Sequence, residues 1–64
     1  MKVGDKIKVI DEIVKNKINL KNQYGVIVKV VYLLKEKGSW YYAVEFPFMM
    51  KPVYIRGKHM RLRI

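Results

Sequence analysis

Val3-Gly4-Asp5-Lys6-Ile7-Lys8-Val9-Ile10, followed after a polar stretch by Tyr24-Gly25-Val26-Ile27-Val28-Lys29-Val30, decides the fold class. Ile7 and Val9 alternate with Lys6 and Lys8. An extended chain with that period has one apolar face and one basic face. Gly25 then opens a run rich in β-branched residues, which fit a pleated, half-buried surface. The pair reads as the first two strands of a small barrel, the first with its apolar face on a core.

The same period carries outward along the chain. Residues 11–23 are rich in Asp, Asn and Lys and read as a long loop. Ile10, Ile13, Val14 and Ile18 have roughly helical spacing, with Asp11 available as an N-cap. The expectation is a loop with at most one helical turn, its apolar side chains folded back on the core. Tyr24 to Leu34 is the longest strand. Lys35-Glu36-Lys37-Gly38-Ser39 is a polar turn in which Gly38 takes positive φ. Trp40 to Phe46 returns, and with Glu45 toward water, Trp40, Tyr42, Val44 and Phe46 point inward while Tyr41 and Ala43 point out.

Pro47 and Pro52 bracket Phe48-Met49-Met50-Lys51. Proline lacks a ladder donor, so this segment is a connection. Val53 to Arg56 is a short strand, and Gly57-Lys58-His59-Met60 is a tight turn with the length of one 3₁₀ turn. The last strand carries Leu62 and Ile64 inward and Arg61 and Arg63 outward. Val9, Val28, Val44, Phe46, Ile55 and Leu62 form the expected core. The fold class is all-β: one domain over residues 1–64, a five-stranded barrel with a long first loop and a short 3₁₀ turn before the last strand.

Sixty-four residues without cysteine exclude a disulfide framework and a thiolate metal site. Stability rests on apolar burial in a body near the lower size limit for a self-sufficient core. The net charge is +9, which favours polyanionic partners. Eleven of the fourteen basic residues are Lys and there is one Ala, a pattern that AT-rich coding also produces. No secretory leader is visible after Met1-Lys2, and the longest apolar run, Val30 to Leu34, is too short for a membrane span. A cytoplasmic chain, monomeric or weakly dimeric, is the simplest expectation.

Gly4-Asp5-x-Ile7-x-Val9 with Gly25-x-Ile27-x-x-Val30 resembles the KOW motif of ribosomal proteins and bacterial transcription elongation factors. Tyr42-x-Val44-x-Phe46 and Val53-Tyr54-Ile55-Arg56-Gly57-Lys58-His59-Met60-Arg61-Leu62 are similar to other SH3-like barrels, including a small photosystem I accessory subunit and small prophage proteins. The resemblance implies an SH3-like, KOW-like barrel that binds rather than catalyses. KOW units commonly carry a glycine in the first turn, and that loop often meets RNA. Here the turn is Asp11-Glu12, acidic and glycine-free, a departure that argues against RNA contact through residues 10–13 and leaves Lys15, Lys17 and Lys21 as candidates.

Enzyme chemistry has little to build on. The chain has one His, one Ser, and no Thr or Cys. A Ser39–His59 pair has no evident orienting acid. Asp5, Asp11, Glu12, Glu36 and Glu45 are scattered, and Asp11-Glu12 lacks the further ligands of a stable metal site. No glycine-rich phosphate loop occurs. No catalytic, metal or cofactor residue is expected.

The basic set is more informative. All three arginines lie in the last nine residues with Lys58 among them. Arg61 and Arg63 should project from the last strand beside Lys6 and Lys8 of the first. Lys6, Lys8, Arg56, Lys58, Arg61 and Arg63 are the expected phosphate contacts, with Tyr54 able to stack a base. Phe48, Met49, Met50 and Tyr41 are the expected protein contacts, since methionine adapts to varied partners. Two functions follow. The first is binding of nucleic acid or a ribonucleoprotein through the basic strip. The second is a protein-interaction module, such as a prophage or mobile-element accessory factor docking on an acidic host-protein surface.

Overall fold

The computed structural model describes the backbone of residues 1–33 and 39–63. Its strands are β1 (Lys6–Val9), β2 (Val14–Lys15), β3 (Ile18–Asn19), β4 (Tyr24–Leu33), β5 (Ser39–Glu45), β6 (Val53–Arg56) and β7 (Met60–Leu62), with a 3₁₀ turn at Gly57–His59. Five form one antiparallel sheet in the order β6-β5-β4-β1-β7, and β2 pairs with β3 in a separate two-stranded sheet. β6 and β7 are the two edges of that sheet. The all-β class and the 3₁₀ turn before the last strand agree with the alternation in the sequence.

The opening Gly-Asp has a local cause. Asp5 N–H donates to the Lys2 carbonyl at 3.1 Å, closing a four-residue turn. Gly4 sits third in it at φ +94°, a conformation that only glycine adopts without strain. The Asp5 carboxylate then accepts from Lys2 N–H at 2.9 Å. Gly4 N–H and the Asp5 carbonyl both bond to Ile27, which seats the turn against β4. Gly25 has a different role. It lies opposite Ile7 in the β1–β4 register. A Cβ there would stand 2.5 Å from Val44 Cγ1 and 2.9 Å from the Glu45 carbonyl oxygen. The backbone atom cannot yield, so β4 approaches β5 this closely only with glycine in place.

The core is built from inward residues of all five strands of the large sheet, with Leu20 and Phe46 from the segments that follow β3 and β5. Ile7, Val9, Leu20, Ile27, Val44 and Phe46 are essentially inaccessible, with Ile55, Met60, Tyr42 and Val53 beside them. Each large apolar side chain so buried contributes about 1.5–3 kcal/mol relative to exposure. Val9, Val44, Phe46 and Ile55 stand where alternation puts them.

Several expectations need correction. Val28 is 38 % exposed, because it follows the inward Ile27 and alternation turns it outward. The β4–β5 register then slips between Ile27 and Lys29, and the bulge spends one residue, so the next side chain packed on the core is Val30 and not Lys29. Leu62 shares a register pair with Ile7 but lies at the end of edge strand β7 and is 47 % exposed. Met60 fills the corresponding core position. Trp40 stands on the side of Tyr42, one pair beyond the core, and is half exposed. Ala43 points outward by alternation yet is buried: its methyl lies between its larger register neighbours Lys29 and Tyr54.

The first loop differs most. It carries no helical turn. β2 and β3 form a hairpin closed by Asn16 and Lys17, both in the left-handed region at φ 51° and 64°. Two consecutive residues of positive φ are what a two-residue hairpin turn requires. Leu20 follows and is driven wholly into the core, and Ile13 packs partly against it. Of the expected turn at 35–39, residues 35–38 with Gly38 lie outside the described residues, as does the inward Ile64, while Ser39 opens β5.

Candidate nucleic-acid interface

The outward positions of β1, β7 and the start of β4 form a basic face. Lys8 pairs with Arg61 on one side and Tyr24 on the other, so these three side chains share one row across three strands. Lys6 pairs with Val26, and Arg63 N–H donates to the Lys6 carbonyl at 2.9 Å, extending the row beside it. Register partners project to the same side of a sheet, so both rows face solvent. All of Lys6, Tyr24, Arg61 and Arg63 are exposed, and Lys8 is half-buried.

Tyr24 organises these charges. The Arg63 guanidinium carbon lies 4.2 Å from the centre of its ring and Lys8 Nζ lies 5.9 Å from it. Such contacts contribute about 0.5–1 kcal/mol at exposed sites. That is enough to favour one side-chain arrangement without consuming the N–H donors of the guanidinium. Among the described residues, no carboxylate pairs with Lys6, Lys8, Arg61 or Arg63. Four cations with open donors thus share one face.

The expected strip divides. Lys6, Lys8, Arg61 and Arg63 come together. Arg56 belongs to β6, at the opposite edge of the sheet, where its guanidinium carbon lies 5.5 Å from the Tyr41 ring centre. Arg56 and the exposed Lys58 join Trp40, Tyr42 and Gly57 around a cleft of about 330 Å³. Tyr54 is exposed, but it lines a separate cleft. Tyr24 is the residue that strand reading undervalued. Its signal was available: with Gly25 and Ile27 inward, period two turns Tyr24 and Val26 outward.

The separate cleft, of about 600 Å³, lies between the β2–β3 hairpin and residues 48–54. The expected protein contacts divide around it. Phe48 is 45 % exposed, with its ring centre 5.5 Å from that of Phe46. Met50 is fully exposed, whereas Met49 packs against the core. Tyr41 is elsewhere, half-buried beside Arg56.

His59 and Asp11 meet, which the sequence did not suggest. His59 Nδ1 lies 2.7 Å from Asp11 Oδ2. Ile10 N–H also donates to the His59 carbonyl at 2.9 Å. The two contacts clip the chain after β1 to the 3₁₀ turn, so Asp11 serves as a structural anchor. Lys15 lies on the cleft, and Lys17 and Lys21 are exposed on the hairpin and the turn after it.

Comparison with family models, with curated proteins and with solved structures found no match.

Proposed function

We propose that this chain is a non-catalytic, cytoplasmic binding module of the SH3-like, KOW-like small-barrel type that holds nucleic acid or a ribonucleoprotein by its phosphates. The strand order β6-β5-β4-β1-β7 with a 3₁₀ turn before the last strand supports the barrel reading. The observation that carries the function is the solvent-facing group of Lys6, Lys8, Arg61 and Arg63 around Tyr24, unneutralised among the described residues.

Lys6 and Lys8 are two residues apart on one strand face, about 6.6–6.8 Å. That step is close to the spacing of successive phosphates in a stretched single strand. Arg61 and Arg63 repeat it on the neighbouring strand. Among the described residues the one helical element is the 3₁₀ turn at Gly57–His59, too short to enter a major groove, so the contacts favour backbone over base edges and weak sequence discrimination. Tyr24 offers the remaining part of its ring to a base.

Titration of mixed-sequence single-stranded RNA and DNA against rising salt tests this reading. Four phosphate contacts give a log–log slope of about −2.8 for a single strand. Absence of measurable binding at low salt would overturn it.

A further inference from the structure

We infer that the cleft between the β2–β3 hairpin and residues 48–54 is a second binding site, which takes an extended acidic protein segment bearing a large apolar side chain. It stands on different residues from the phosphate-binding face and does not depend on that reading.

Its volume of about 600 Å³ lies in the range of side-chain and small-ligand sites. Ile18, Phe48 and Tyr54 supply apolar walls, each more than a third exposed, and Met50 is fully exposed. A domain this small gains by burying such surface, and here the chain leaves it open. Met50 has three rotatable bonds and a polarisable sulfur, so it adapts to the shape of an inserted side chain. Lys15 stands on one wall and Lys51 on the other, and no carboxylate among the described residues lines the cleft. An occupant therefore meets apolar surface at the centre and positive charge at the rim.

That chemistry selects among occupants. A second copy of this chain brings a further +9 charge and is repelled. A nucleic-acid strand would place phosphates against an apolar floor, from which they gain nothing. An acidic segment pairs its carboxylates with Lys15 and Lys51 and buries its apolar side chain between Phe48 and Met50. Tyr54 belongs to β6, an edge of the sheet. An edge strand offers main-chain hydrogen bonds to an extended segment, whose alternate side chains then face one way.

The test uses a fluorescent peptide alternating glutamate with phenylalanine. Two comparison peptides replace every glutamate by lysine or every phenylalanine by serine. We expect the first peptide to bind and to shift amide signals of residues 15–18 and 48–54. Both comparison peptides should bind at least about tenfold more weakly, as expected from loss of one buried apolar anchor or one set of charge contacts. Met50→Ser, at a fully exposed position that folding does not need, and Lys51→Glu should each weaken binding several-fold, whereas Arg61→Gln with Arg63→Gln should not. The inference is overturned if the first peptide fails to bind at millimolar concentration. It is equally overturned if the serine peptide binds as well, if Met50→Ser has no effect, or if the shifts map to the Arg61–Arg63 face. RNA titration of the same variants separates the two sites: Met50→Ser should leave RNA binding intact whichever way the peptide result falls.

Discussion

The Tyr24 face and the Met50 cleft are built in opposite ways from one short chain. The first lies on regular strands, where every second side chain turns outward and charge accumulates because the core claims the others. The second lies between two irregular segments, whose apolar side chains stay exposed because the core is already filled. One surface presents open cations around an aromatic ring. The other presents apolar walls with a lysine at each side. A single +9 protein therefore offers two differently shaped invitations to negative charge, and total charge alone does not distinguish them.

Both surfaces depend on one core, and removing it should erase the difference. Phe46 is 1 % exposed and backs Phe48, a wall of the cleft. Phe46→Ala should cost about 3–5 kcal/mol and unfold so small a domain, as followed by urea denaturation. A folded variant with little change would contradict the inward assignment of β5.

Gly25 allows a narrower break. Its added methyl meets the Glu45 carbonyl and Val44 directly. Gly25→Ala should destabilise by about 1–3 kcal/mol, the range of overpacking. It should disturb β4 beside Tyr24 more than the cleft, which amide shifts would resolve. The hairpin permits a change of opposite sign. Lys17 holds a left-handed conformation that costs an L-residue roughly 1–2 kcal/mol. Lys17→Gly should raise the melting midpoint by relieving that strain, with little effect on the Tyr24 face.

The smallest expected stability effects sharpen the comparison most. Tyr24 and Tyr54 are exposed to similar extents, 47 % and 52 %, on the two different surfaces. Replacing either with Ala should change stability by less than about 1 kcal/mol. Tyr24→Ala should weaken RNA binding several-fold and Tyr54→Ala should not. Equal losses would mean that the two surfaces act as one.

The two surfaces also differed in how far they could be read from sequence. Strands β1, β6 and β7 declare their faces through strict alternation, so Lys6, Lys8, Arg61 and Arg63 were legible as neighbours. The run Val26-Ile27-Val28 hides its bulge, because three consecutive β-branched residues give no polar marker where the phase slips before Lys29. The β2–β3 turn hides in the same way. Asn16-Lys17 lacks the glycine that usually announces a tight hairpin, and isoleucines on both sides mimic helical spacing. The Lys15–Lys51 cleft is non-local altogether. It joins segments thirty or more residues apart, and no local pattern encodes that meeting.

The central claim is that the cations around Tyr24 act as a site and not merely as part of the total charge. The most direct test compares Arg61→Gln/Arg63→Gln with Lys15→Gln/Lys51→Gln, a pair that removes the same charge from the cleft, by RNA titration over a range of salt. The first pair should flatten the log–log slope by about 1.4 and reduce affinity about 25-fold at 0.1 M salt, while the second should leave both nearly unchanged. Equal losses from the two pairs would contradict the claim and reduce RNA binding to net charge.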